Sequence, residues 1–204
     1  MAKNHDLERL KALTDGVVAV SITLLVLDIH LAPPLGGLSD DQLGAQFLLI
    51  WQKYLSYVIS FVVVGVFWMS HQRKFSHIVH ADSALVWLNF LFLLVVCLVP
   101  FVTAVIGENS GRLATTIYAS TMLVISFLLW FMWWYARRKN LIDPNLSHAE
   151  QRHQSAIGSI SMSVFVISIV IAQFDARAAL MFLSFLLLPN ILWRTPSVGA
   201  EKDR

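Results

Sequence analysis

Read as a pattern of apolar and polar positions, the chain is six long apolar runs separated by short polar stretches. The runs fall at about 13–31, 47–69, 84–105, 114–135, 155–173 and 178–193, each close to the ~20 residues a helix needs to cross the hydrocarbon core of a bilayer. The polar stretches carry helix-start signals. Asp6 suits an N-cap for the first helix, Asp82 or Ser83 for the third, Asn109 or Ser110 for the fourth and Asp175 for the sixth. Ser39-Asp-Asp-Gln42 and Ser147-His-Ala-Glu150 read as capping boxes opening the second and fifth. The first box lies well before Phe47, so the second helix is expected to project beyond the membrane. Pro189 is expected to kink or end the sixth. The pattern predicts an all-α membrane protein, one domain over residues 1–204 with six transmembrane helices.

Composition sharpens this. Of 204 residues, 57% are hydrophobic and 14% charged, whereas soluble domains carry about 25% charged residues. Mean hydropathy is +0.66. A formal charge of +2 is too small to point to nucleic acid. Cys97 is the only cysteine, which excludes an intrachain disulfide and a cysteine-rich metal site. The first apolar run is not expected to be a cleaved signal. Asp15 lies within it, and Ala32-Pro33-Pro34 stands where a small-residue cleavage site would be wanted.

Lysine and arginine set the orientation. Lys3, Arg9 and Lys11 precede the first span, Arg73 and Lys74 follow the second, and Arg137, Arg138, Lys139 and Arg152 follow the fourth. Arg194, Lys202 and Arg204 end the chain. The opposite side has Lys53, Arg112 and Arg177 against Asp28, Asp40, Asp41, Glu108 and Asp175. Both termini are therefore expected in the cytoplasm. Trp130, Trp133, Trp134 and Tyr135, just ahead of the Arg137-Arg138-Lys139 run, are expected to anchor the fourth helix at the inner interface.

Ionisable groups inside a span cost roughly 2.5–3.5 kcal/mol on insertion scales, so they call for partners or a purpose. Arg9 and Asp15, at the mouth of the first helix, are six residues apart and do not pair directly on one helix, where neighbours lie three or four apart. Trp68 and His71 near the end of the second span and Asn89 near the start of the third lie at about the depth of Arg9, Thr14 and Asp15. Two readings stay open. One is a structural polar knot pinning three helices; the other is a proton relay or gating network built on His71. His71, His77, His80 and Asp82 lack the spacing of a known metal motif. No nucleophile elbow, H-E-x-x-H, Walker loop or GxGxxG occurs, so an enzyme is not expected.

At about 100° per residue, Gly16, Val20, Thr23 and Leu27 share one face of the first helix, with Leu24 and Leu31 extending the stripe and Asp15 turned away. Such a face is a packing seam or a pore wall. One subunit of six short spans can hardly enclose an aqueous path, so a pore would need several copies around an axis.

These residues carry a resemblance. Arg9-x-x-x-Leu13-Thr14-Asp15-Gly16 resembles the R-x-x-x-F-S-D signature of the transmembrane-protein-175 family of potassium channels in its bacterial six-span form, with Leu13 for Phe and Thr14 for Ser. The Val17–Ile29 run, Trp68, His71, Asn89 and Leu98-Val-Pro100-Phe101 are similar to the family as well. The resemblance implies a homotetramer in the bacterial plasma membrane with potassium as the permeant ion and no cofactor. It implies a central pore lined by first helices and narrowed by bulky aliphatic side chains. By position, the narrow residue falls on Val20, a hydroxyl layer on Thr23 and a further aliphatic layer on Leu27. The TVGYG carbonyl filter of other potassium channels is absent. A proton-coupled transporter using Asp15 and His71 is the alternative; the inverted repeats and broken midplane helices usual in transporters are not visible.

Overall fold

The computed structural model describes residues 2–30, 39–109 and 111–185. Its elements are all helical: α1 (Ala2–Leu24) running into a 3-10 turn (Leu25–Asp28), α2 (Asp40–Leu49), α3 (Trp51–Ser76), α4 (Ser83–Cys97), α5 (Val99–Glu108), α6 (Arg112–Arg138), α7 (His148–Ala172) and α8 (Ala176–Phe185). Five stretches are long and apolar enough to cross a membrane: 6–28, α3, α4 with α5, α6 and α7. The chain is thus an all-α, multi-pass membrane protein. The sixth expected span starts as α8; its continuation, with Pro189 and Arg194, lies outside the described residues, as does Leu31.

The caps hold in part. Ser39 and Gln42 form the reciprocal box, with Gln42 N–H on Ser39 Oγ at 3.4 Å and Ser39 N–H on Gln42 Oε1 at 3.1 Å. The helix it opens is a separate short one, because the chain breaks at Ile50 before α3 begins. The expected single projecting helix is therefore two. Asp82 accepts from Leu85 N–H at 2.8 Å, Ser147 from Glu150 N–H at 3.2 Å and Asp175 from Ala178 N–H at 3.2 Å. Two expectations fail. Asp6 lies inside α1, which already runs from Ala2, and α6 is capped by Gly111 without a side-chain bond. The third span is also broken in two at Leu98. Pro100 has no N–H to give the preceding turn, so the ladder is interrupted there.

α6 is the central helix, with Tyr118, Met122, Ile125, Met132 and Trp133 all buried. α7 lies along it, and Gly158 leaves room for the Trp130 ring: a Cβ there would stand 3.0 Å from it. Small residues at such crossings matter in lipid, where association depends on packing and hydrogen bonds rather than on water exclusion. A hydroxyl cluster binds the middle of the bundle. Thr103 Oγ1 of α5 lies 2.8 Å from both the Val99 carbonyl of its own helix and Ser60 Oγ of α3, and Ser60 lies 3.0 Å from the Tyr118 hydroxyl of α6. The aromatic anchor is divided: Trp134 is exposed beside the Arg138 guanidinium, whereas Trp133 is buried and donates to the Gln151 carbonyl at 3.3 Å.

The α3–α4 and α6–α7 connections meet. Val79 N–H donates to Leu141 O and Asp143 N–H to His77 O, each at 2.9 Å. Tyr135 adds a 2.7 Å bond to Asp82. The two Lys/Arg-rich ends of α3 and α6 therefore lie on one side of the bundle, as charge asymmetry requires.

Candidate functional site

α1 lies between α3 and α4 and presents three different faces. One is buried: Leu7, Leu10, Thr14, Val18, Ser21 and Leu25 turn into the bundle. On this face Thr14 Oγ1 donates to the Leu10 carbonyl at 3.0 Å, the usual way a helical threonine spends its one hydrogen. Thr14 can then only accept, and it does so from Asn89 Nδ2 at 2.9 Å. That fixes the amide: Asn89 Oδ1 faces His71 Nε2 at 2.8 Å, so Nε2 carries the proton and donates. The other ring nitrogen, Nδ1, is buried without a partner among the described residues. The ring itself is held by stacking on Phe75, centroids 3.9 Å apart, and Phe92, 5.4 Å apart.

The chain His71 → Asn89 → Thr14 → Leu10 thus runs in one direction and ends on a backbone carbonyl. A relay needs an acceptor that can pass a proton on; an amide and a peptide carbonyl cannot. The geometry favours a positional role for these three buried side chains.

Asp15, about 100° further around α1, turns to α3. Its Oδ1 accepts from Trp68 Nε1 at 2.8 Å and from Gln72 Nε2. Gln72 was not picked out in the sequence, although it stands one helical turn after Trp68 and must share its face. Arg9 does not join them. It is exposed in a groove of about 660 Å³ with Leu13, Asp82, Trp87 and Phe90, and no described residue bonds its guanidinium. Six residues place it roughly 120° from Asp15 around the helix, so of the six residues expected in the polar network, Arg9 stands apart from Thr14, Asp15, Trp68, His71 and Asn89, and Gln72 joins those five. His77 packs on Trp133 instead of meeting His71, and no group of three or more metal-ligating side chains occurs among the described residues.

The third face has none of the described residues over it. Gly16, Val20, Thr23, Leu24 and Leu27 are all exposed, Val20 by 57% and Leu27 by 69%. The Thr23 hydroxyl donates to the Val20 carbonyl at 2.8 Å, which leaves its oxygen lone pairs toward the open side. Beyond Leu24 the 3-10 turn brings residues three apart into register, so Leu24 and Leu27 line up one above the other. This departs from the uniform helical period expected through Leu31. Beside this face lies a shallow apolar groove lined by Leu13, Val17, Ser21 and Cys97.

A multi-span helical protein whose first helix is polar and anchored at one end, and apolar and uncovered along the other, is built like one protomer of a membrane channel. Comparison with known proteins agrees. Residues 9–100 match the family model described as endosomal/lysosomal potassium channel TMEM175. The chain is 36% identical over 169 residues to a potassium channel of Streptomyces collinus, covering 78% of this chain and 80% of that one. It is 34% identical over 150 residues to a potassium channel of Chamaesiphon minutus, covering 72% of each. The fold is similar to the crystal structure of a lysosomal potassium-selective channel TMEM175 homolog from Chamaesiphon minutus, with a TM-score of 0.81 at 26% identity over 92% of this chain and 97% of that one. The chain belongs to the TMEM175 family. These relatives are ion channels, not enzymes.

Proposed function

We propose that the protein is a potassium-preferring cation leak channel of the bacterial plasma membrane, a homotetramer of six-span subunits with both termini cytoplasmic. Four copies of α1 ring the axis, and the reading calls for no cofactor. The observation that carries it is the uncovered line of Val20, Thr23, Leu24 and Leu27 on a helix whose opposite face is fully packed. A monomer in lipid gains nothing from aligning a hydroxyl with aliphatic side chains on its outer surface. Around an axis the same line makes a path.

The selectivity follows from hydration. The aliphatic rings of Val20, Leu24 and Leu27 offer no ligands, so an ion must shed water to pass, and potassium sheds it more readily than the smaller sodium. The Thr23 oxygen, its hydrogen already spent on Val20, restores part of the lost hydration between the rings. An apolar ring narrow enough to dewet is also a gate, so a carbonyl filter is not required. The names of the relatives support potassium as the permeant ion.

Reversal potentials in opposed potassium and sodium gradients test this. Val20→Ala and Leu27→Ala are expected to raise current and weaken discrimination, and Thr23→Val to lower the ratio mainly. Unchanged ratios for all three would refute the assignment. Unitary conductance steps in a planar bilayer separate a channel from a transporter cycle.

A further inference from the structure

The outer end of α1 is seated by shape rather than by the polar bonds that hold its inner end. Leu25 is buried and Leu27 exposed, while Asp28 at the close of the 3-10 turn is half-buried. The Asp28 carboxylate reaches Gly107, a buried residue near the outer end of α5. A Cβ on Gly107 would stand 3.6 Å from Asp28 Oδ2, 2.9 Å from Ser56 Oγ and 3.6 Å from Lys53 Cα. The walls of this small space are committed elsewhere. Ser56 donates to the Lys53 carbonyl at 3.0 Å, and Lys53 Nζ pairs with Glu108 Oε1 at 3.1 Å, joining α3 to α5. Gly107 stands in the last turn of α5, and the space it leaves is bounded first by Ser56 of α3 and then, at ordinary contact distance, by Asp28.

We propose that Gly107 is a positioning residue for the outermost aliphatic ring of the pore. A methyl at 107 would meet Asp28 only in ordinary contact, but a branched side chain reaching past Cβ would lift Asp28 from its seat against α5 and α3, and that seat sets how far Leu27 projects toward the axis. This rests on the reading of α1 as the pore helix. A branched side chain at 107 pushes the turn from behind, toward its uncovered side. The inner part of α1 is tied by Thr14 and Asp15, so the displacement is confined to the turn, and Leu27 narrows the path.

The test is Gly107→Val in the full-length channel, reconstituted and read as unitary current. The expected result is a fall of about twofold or more, beyond the scatter seen when distant sites are combined, which disappears when Leu27→Ala is added because no bulky side chain remains to project. A purely structural role would lower the yield of channels while each conducts as before. Unchanged unitary current, or a fall of the same factor in the Leu27→Ala background, overturns the proposal. Should Gly107→Val not assemble, Gly107→Val combined with Ser56→Ala, which removes the 2.9 Å neighbour, serves: its unitary current is expected to fall, and no change overturns the proposal equally. Leu27→Ala alone, without effect on unitary current, would instead refute the pore reading and is scored separately.

Discussion

The two halves of the first helix solve opposite problems. The inner half carries groups that lipid cannot satisfy, and the protein satisfies them within one subunit: Thr14 through Asn89, Asp15 through Trp68 and Gln72. The outer half carries groups that lipid would accept, yet they form an ordered line that no other described helix covers. Polar bonds in a bilayer fix position because the alternatives are so few. An apolar face fixes nothing alone and is free to be completed by other copies. On the proposed reading the first half is a register device and the second a working surface, and changes to each should fail differently.

The largest effect is expected at the inner half. Asn89→Leu removes the acceptor of His71 and the donor to Thr14 together, leaving buried groups unpaired at a cost of about 1–3 kcal/mol each. Thermal unfolding in detergent should fall sharply, while the permeability ratio of channels that do assemble stays near wild type. A stable protein with an altered ratio would move Asn89 from the anchor to the path. Next in size, Leu27→Ala should raise unitary current and weaken potassium preference with little change in melting temperature, the converse pattern. A smaller effect is expected at Tyr118→Phe. It removes one hydroxyl from the Ser60–Thr103 cluster, and interhelical bonds in membranes average ~0.6 kcal/mol; a melting shift of only a few degrees, without change in current, is the outcome to check. Smallest of all is Arg9→Ala. With its guanidinium exposed outside the knot, the change should alter stability by no more than about 0.5 kcal/mol. A loss comparable to that of Asn89→Leu would show that Arg9 finds its partner across a subunit boundary.

Much of the anchor was legible because buried polar groups demand company. Thr14, Asp15, Trp68, His71 and Asn89 could be matched by depth alone. Depth does not give azimuth, however, and azimuth removed Arg9 and brought in Gln72. The hydroxyl cluster of Ser60, Thr103 and Tyr118 had the same kind of signal, three hydroxyls inside spans, but each residue is unremarked in an apolar run until its helix is placed. The spans were legible from length and hydropathy. Their breaks were less so: the stop at Ile50 follows no helix-breaking residue, whereas the one at Leu98 follows from Pro100, whose effect on its own span can be read from chemistry. Gly107 was silent in sequence because its role lies in what it leaves room for.

The central claim is that the uncovered line of α1 faces a water-filled ion path, and cysteine accessibility tests it most directly. Cys97 is the only cysteine, so Cys97→Ser gives a background without thiols. In that background Thr23→Cys and Leu27→Cys, reconstituted in bilayers, are treated with a small membrane-impermeant cationic thiol reagent, with Val166→Cys on the exposed side of α7 as the control. The account predicts that modification at Thr23 and Leu27 abolishes potassium current, that potassium in excess slows the reaction, and that the α7 position leaves current intact. Current that persists after complete modification at Thr23 and Leu27 would contradict it.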